Sequence, residues 1–206
     1  MPRVVDSEER TKAISEIAWR IAGEEGIAAV TYRRVAAEMN ASTAVVTHAF
    51  PSRASLLQEV FRLHVDEWLK DLDELVAAYD DPVDRLRMLL LNSCPVTADA
   101  VNDARVWIAT MARPDDRAEW LSITRAFGKT FTEELTRVLS ELKADTNLAF
   151  PLGALVWGLN AAAVEDPERW TEERVRWSID VMLESLGLAA SSTRGADSSE
   201  KSGRSD

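Results

Sequence analysis

An all-α fold, a small N-terminal helical head followed by a larger helical body of about nine helices in total, is predicted by three observations. Apolar residues recur at helical spacing over nearly the whole chain, helix caps and prolines punctuate them at regular intervals, and no alternating strand pattern or internal repeat is visible. The 206 residues allow one large domain or a small head with a larger body, and 46% hydrophobic with 29% charged residues is the composition of an ordinary globular protein.

The elements follow in order. Ile14, Ile17, Ala18, Ile21 and Ala22 make one apolar helix face, and Gly26 suits the left-handed position that ends it. Thr31 stands as the N-cap of a short helix from Tyr32 to Met39, with Val35, Ala36 and Met39 inward. Asn40 tolerates positive φ and makes a tight turn. Ser42 caps a second short helix, Thr43–Ala49, and Phe50-Pro51-Ser52 closes the unit. A long helix from about 53 to 79 carries Leu57, Phe61, Val65, Trp68, Leu72, Leu75 and Tyr79 inward, roughly 40 Å of rod.

Asp81-Pro82 is an N-cap and first-turn pair opening a helix through Leu91, which Cys94-Pro95 breaks. Helices are predicted over about Asp99–Ala112, ended by Arg113-Pro114, and about Asp116–Leu142, the latter with Trp120, Ile123, Phe127, Phe131 and Leu135 on one face. Two more, Leu148–Val164 and Thr171–Leu188, close the fold. From Ala189 the composition turns to Ser, Gly, Asp and Lys, which predicts a disordered tail. The predicted divisions are 1–52, 53–188 and 189–206.

Charge and motif content narrow the function. The net charge is −11, yet residues 1–60 hold seven Lys/Arg against eight Asp/Glu, so nearly all of the excess lies in the body. The body repels DNA while the head tolerates it, and non-specific affinity should be modest. No run of 18 apolar uncharged residues predicts a membrane span, and the acidic N-terminus is unlike a signal peptide, so a cytoplasmic location is expected. There is no G-x-S-x-G elbow, no H-E-x-x-H, no phosphate loop and no cysteine pair; the two histidines lie 16 residues apart. Neither an enzyme nor a metal or other cofactor is expected. The single Cys94 reads as a packing thiol.

Short helix, tight turn, short helix is the geometry that lays a second helix into the major groove. Val35, Ala36, Ala41 and Val46 meet its inward demand for small or apolar residues, and Arg33, Thr43, Thr47 and His48 its outward demand for polar ones. The run T-Y-R-R-V-A-A-E-M-N-A-S-T-A-V-V-T-H-A-F-P-S-R-A-S-L-L resembles the DNA-binding head of the TetR family of bacterial regulators. The resemblance covers about residues 10–60, including the helix from Ile17 to Gly26. It departs where Asn40 replaces the usual Gly, where Thr47 and Ala49 replace frequent aromatics, and where Arg53 replaces the commoner Lys.

By position, the resemblance implies that Ser42, Thr43, Ala44, Thr47 and His48 face bases or phosphates of an operator duplex. It implies that Thr31, Tyr32, Arg33 and Arg53 hold the backbone. The body is similar, more loosely, to the BetI-like group of that family, through Arg105-Val106-Trp107-Ile108 and Leu155-Val156-Trp157-Gly158-Leu159. That likeness implies a homodimer in which the last two helices form a four-helix interface, involving Leu155, Gly158, Leu159, Ala162, Ile179 and Met182. Independently, the Leu148–Val164 segment is apolar almost all round and must be covered on more than one side. Two subunits would match a palindromic site with reading helices about 34 Å apart.

Seven tryptophans punctuate the chain, several on inward stripes. Trp68, Trp107, Met111, Phe127 and Trp157 are expected to line an apolar pocket for a small-molecule effector, with Asn92, Thr110 and Asn160 as its polar groups. Tryptophan faces beside acids suit a cationic ligand. The expected function is a ligand-responsive regulator, a repressor by the resemblance. The alternative is a helical dimer without DNA binding that acts through protein partners or by sequestering a ligand.

Overall fold

The computed structural model describes residues 2–111 and 117–189, with side chains from 8–110 and 124–189. The Arg113-Pro114 break, the tail beyond Ala189 and the side chains of Met111, Trp120 and Ile123 lie outside the described residues. Among the described residues there are nine α-helices, two single 3₁₀ turns and no strand. The helices are α1 (Pro2–Glu25), α2 (Tyr32–Glu38), α3 (Thr43–Ala49), α4 (Arg53–Ala78), α5 (Pro82–Asn92), α6 (Ala98–Met111), α7 (Arg117–Glu141), α8 (Ala149–Glu165) and α9 (Glu172–Ser185).

Local chemistry explains most of the boundaries. Gly26, at φ 87°, follows the last residue of α1. Thr31 Oγ1 accepts the Arg34 amide at 3.1 Å and so caps α2. The end of α2 is a Schellman motif: Asn40 sits at φ 51°, its amide donates to Ala37 O, and the Ala41 amide donates to Ala36 O at 2.9 Å. Ser52 and Ser55 form a reciprocal capping box at the start of α4. Asp81 and Thr171 cap α5 and α9 through their side chains. Ser42 precedes α3 in extended backbone without a side-chain cap bond.

Two cores stack along α4. The first joins Ile14, Ala18 and Ile21 of α1 to Val35, Val46 and Phe50, and to Leu56, Leu57, Val60, Phe61 and Val65 of α4; it also takes in Val106 of α6. The second gathers Leu72 of α4 with residues of α5, α7, α8 and α9. Helix α4 thus contributes to both cores, Leu56 to Val65 to the first and Leu72 to the second. Across the second core, Arg87 grips the Asp180 carboxylate with two hydrogen bonds of 2.6 and 2.9 Å, pinning α5 to α9.

The segment Thr146–Glu165, with mean hydropathy 1.4, is long and apolar enough to cross a membrane. Here its Ala149, Leu152, Val156 and Leu159 enter the second core, while only 28% of its apolar window is buried within the described residues.

Candidate functional site

The candidate nucleic-acid interface is built on α3. Val46 is its single fully buried residue, and Phe50 just beyond plugs the head core. The Tyr32 hydroxyl donates to Phe50 O at 2.9 Å, so this phenol holds the end of α3 in place. Because α3 leans on the core through one narrow side, Ser42, Thr43, Ala44, Thr47 and His48 all stay exposed. They form one uncovered stripe, as the spacing predicts. Thr31 and Arg33 are exposed beside it at the start of α2.

The two arginines of α2 diverge. Arg34 bridges Glu25 and Glu38, each at 2.6 Å, and Arg20 reaches Glu38 at 2.5 Å, a lattice that clamps α1 to α2. Arg33 forms no ion pair among the described residues. Arg53, expected at a phosphate, is turned inward: its Nε donates to Val30 O at 2.6 Å and its Nη2 to Ile27 O at 2.5 Å. The planar guanidinium thus ties the start of α4 to the Ile27–Ala29 turn and its C-cap Val30, reaching Ile27 O alongside the Val30 amide that also donates there.

The second feature is a cavity of about 130 Å³ at the seam between the two cores. Trp68, Asn92, Trp107, Phe127, Trp157 and Asn160 line it, as expected. Thr110 does not: it is buried inside α6, its hydroxyl donating to Val106 O at 2.7 Å. Met111 was expected there too, and its side chain lies outside the described residues. The rings close in at contact distance. The Trp68 and Trp107 centroids each lie 4.5 Å from Phe127, and Trp157 lies 5.9 Å from Trp107. Asn160 donates to Ser93 O at 2.8 Å, joining α8 to the end of α5. Cys94 also lines the cavity, its thiol pushed up to about 12 by burial, which makes it a packing group and not a nucleophile.

Trp19, His64 and Asp103 are among the lining residues that the sequence reading did not place there. Trp19 lies off the apolar stripe of α1, and that displacement was the available signal. Burial lowers the His64 pKa, against the opposing pull of Asp103, Glu67 and Asp71. No group of three or more metal-ligating side chains occurs among the described residues.

The third feature is an apolar surface. Phe150 is 71% and Trp177 62% exposed, and Trp157 and Val181 are also open, on α8 and α9. Gly158 is exposed beside them, with Leu155, Ala162 and Met182 half-buried. Leu159 and Ile179, expected at an interface between copies, are buried within the chain's own core. A helix apolar on all sides gives no hint of which side faces inward. A Cβ built on Gly153 or Gly158 would meet nothing within 4 Å among the described residues, so the close approach these glycines permit is not used by any of them.

A family model for bacterial regulatory proteins of the tetR family matches residues 14–60, the head. The transcriptional regulator BetI of Burkholderia cenocepacia is 30% identical over 165 residues, covering 77% of this chain and 84% of that protein. The chain belongs to the tetR family. The regulator PksA of Bacillus subtilis is 29% identical over 193 residues, 90% of this chain and 94% of that protein. The fold of this TetR-family chain is also that of a transcriptional regulator from Saccharomonospora viridis, solved in complex with choline. There the TM-score is 0.74 at 22% identity, over 86% of this chain and 96% of the other. The TetR-family protein is accordingly a helix-turn-helix, DNA-binding transcription regulator, and no enzyme family is indicated.

Proposed function

We propose that the protein is a ligand-responsive repressor that binds a palindromic operator as a homodimer in the cytoplasm, with Thr43, Thr47 and His48 reading base edges and Thr31 and Arg33 holding phosphates. The observation that carries this reading is the pair of uncovered faces, one polar on α3 and one apolar on α8 and α9. An apolar patch of that kind is stable in water when a second copy covers it, and two-fold pairing then presents two copies of α3 to successive turns of the duplex.

The effector reading rests on the cavity. A wall of aromatic rings with one carboxylate in its described lining, Asp103, suits a small organic cation, and the S. viridis regulator of the same fold holds choline. Its 130 Å³ is below the range of about 300–1,000 Å³ typical of drug-sized ligands, which favours a molecule of few heavy atoms. Binding that differs between the DNA-competent and DNA-incompetent arrangements supplies the switch.

Light scattering together with fluorescence anisotropy on duplexes from upstream of the protein's own gene tests the reading. A dimer that shifts one duplex with high salt sensitivity is expected. A folded dimer that shifts none at low salt overturns it, in favour of a helical dimer acting through protein partners or ligand sequestration.

A further inference from the structure

The cavity and the reading head share a wall. Trp19 belongs to α1, the first helix of the head, yet its indole lines the cavity. Its ring lies 3.6 Å, centroid to centroid, from the His64 imidazole of α4 and nearly parallel to it, at 18°. Its Nε1 donates to Asp103 Oδ1 of α6 at 2.6 Å. One side chain therefore touches the head, the rod and the cavity floor.

The backbones converge at the same place. A Cβ on Gly23 would lie 2.8 Å from Asn102 Cβ, so the close approach of α1 to α6 depends on glycine there. Arg105 is turned to Asn102 at 2.8 Å, and Asp103 is the one acidic residue of the described cavity lining. A carboxylate accepts through two oxygens, so Asp103 can hold the Trp19 N–H on one and face the cavity with the other. The stacked, half-buried His64 contributes an aromatic face, and burial lowers its pKa.

Resting on the reading of the cavity as a site for a small cation, we propose that Asp103 is both the counter-charge of that ligand and the acceptor that ties the cavity to the head through Trp19. The Trp19–Asp103 hydrogen bond is the contact by which α1 registers occupancy. A cation that draws the carboxylate toward the cavity lengthens this bond and loosens α1 from α6; a head locked on DNA holds the bond and weakens the cation. The two effects are one coupling seen from either side.

The test measures choline chloride and its neutral isostere 3,3-dimethyl-1-butanol by calorimetry, on the full-length protein free and bound to the duplex identified above. Wild type should bind choline at least about fivefold more weakly on DNA, the lower end of usual allosteric couplings. In Trp19→Phe, which keeps a ring against His64 and loses the N–H, the ratio of the two choline affinities should fall to one, whatever happens to each affinity. In Asp103→Asn the preference for choline over the isostere should collapse at least about tenfold. A Trp19→Phe ratio equal to wild type overturns the coupling, and an Asp103→Asn preference equal to wild type overturns the anchor. Choline bound equally with and without DNA in wild type overturns the inference alone. No choline binding to wild type overturns the cation reading of the cavity along with it. Should Trp19→Phe fail to fold, hydrogen exchange in wild type decides: choline must change protection at the Ile17–Ile21 amides, and unchanged protection overturns the proposal.

Discussion

Helices α3 and α8 each leave one face open among the described residues, and the two faces are chemically opposite. On α3 the open positions are Thr43, Ala44, Thr47 and His48, small or polar, around a single buried Val46. On α8 they are Phe150, Trp157, Ala154, Gly158 and Ala161, above a buried row of Leu152, Val156, Leu159 and Ala163. A polar face rests in water at little cost and exchanges that water for phosphates and base edges. An apolar face loses about 25 cal/mol for each Å² left wet, so it is stable only when covered. On the function proposed above, the first surface serves a hydrated polyanion and the second a copy of the same chain. Most of the negative charge lies in the body, which leaves the head as the place where DNA is tolerated.

The largest test of that contrast is Phe150→Glu with Trp177→Glu. The double variant should be monomeric by light scattering at micromolar concentration. It should lose more than about a hundredfold in operator affinity, because two linked heads gain on the order of 10² or more over one. A surviving dimer would break the comparison at its apolar half.

Next in size is the turn that projects α3. Asn40→Val should lower stability by about 1–2 kcal/mol, the cost of the left-handed region for a β-branched residue, while Asn40→Gly should match or exceed wild type in a thermal melt. Equal melting of the valine variant would mean that φ 51° at this position carries no strain. Thr43→Ala and His48→Ala should each weaken operator binding by about tenfold with unchanged melting, since both side chains are exposed. Full affinity in both would break the polar half of the comparison.

The smallest effect is on pH. Burial places the folded-state pKa of His64 below its ordinary 6.5, so the unfolded chain takes up the proton first. The contribution to stability is complete above about 6.5 and is lost as pH falls from there through the lower folded value. Thermal melts at pH 7.5, 6.5 and 5.5 should show a decline that His64→Gln reduces; an identical decline in the variant would assign it to other groups.

The head was legible in the sequence because its signals act within a few residues. Thr31 caps a helix that begins at its neighbour, Asn40 and Ala41 close a motif with Ala36 and Ala37, and the boundaries of α3 follow from Ser42 and Phe50. Where such a signal is missing, local reading fails: Lys143 adopts φ 56° just beyond α7, with the Ala144 amide on Leu139 O, though nothing in a lysine side chain announces a left-handed residue. The aromatic stripes of α4, α6 and α7 gave most of the cavity, since amphipathic helices carry the phase of their inward face.

What the sequence by itself determined is therefore the helix order, the caps, the reading turn and the family resemblance, all of which rest on neighbours along the chain. Tertiary structure alone decided that Arg53 turns to the carbonyls of Ile27 and Val30, that Leu159 and Ile179 point inward while Phe150 and Trp177 do not, and that Trp19 meets Asp103, 84 residues away. The physical reason is the same in each case. A guanidinium finds its acceptors through space, a helix apolar on every side has no phase to read, and a hydrogen bond between distant helices exists only once packing has brought them together.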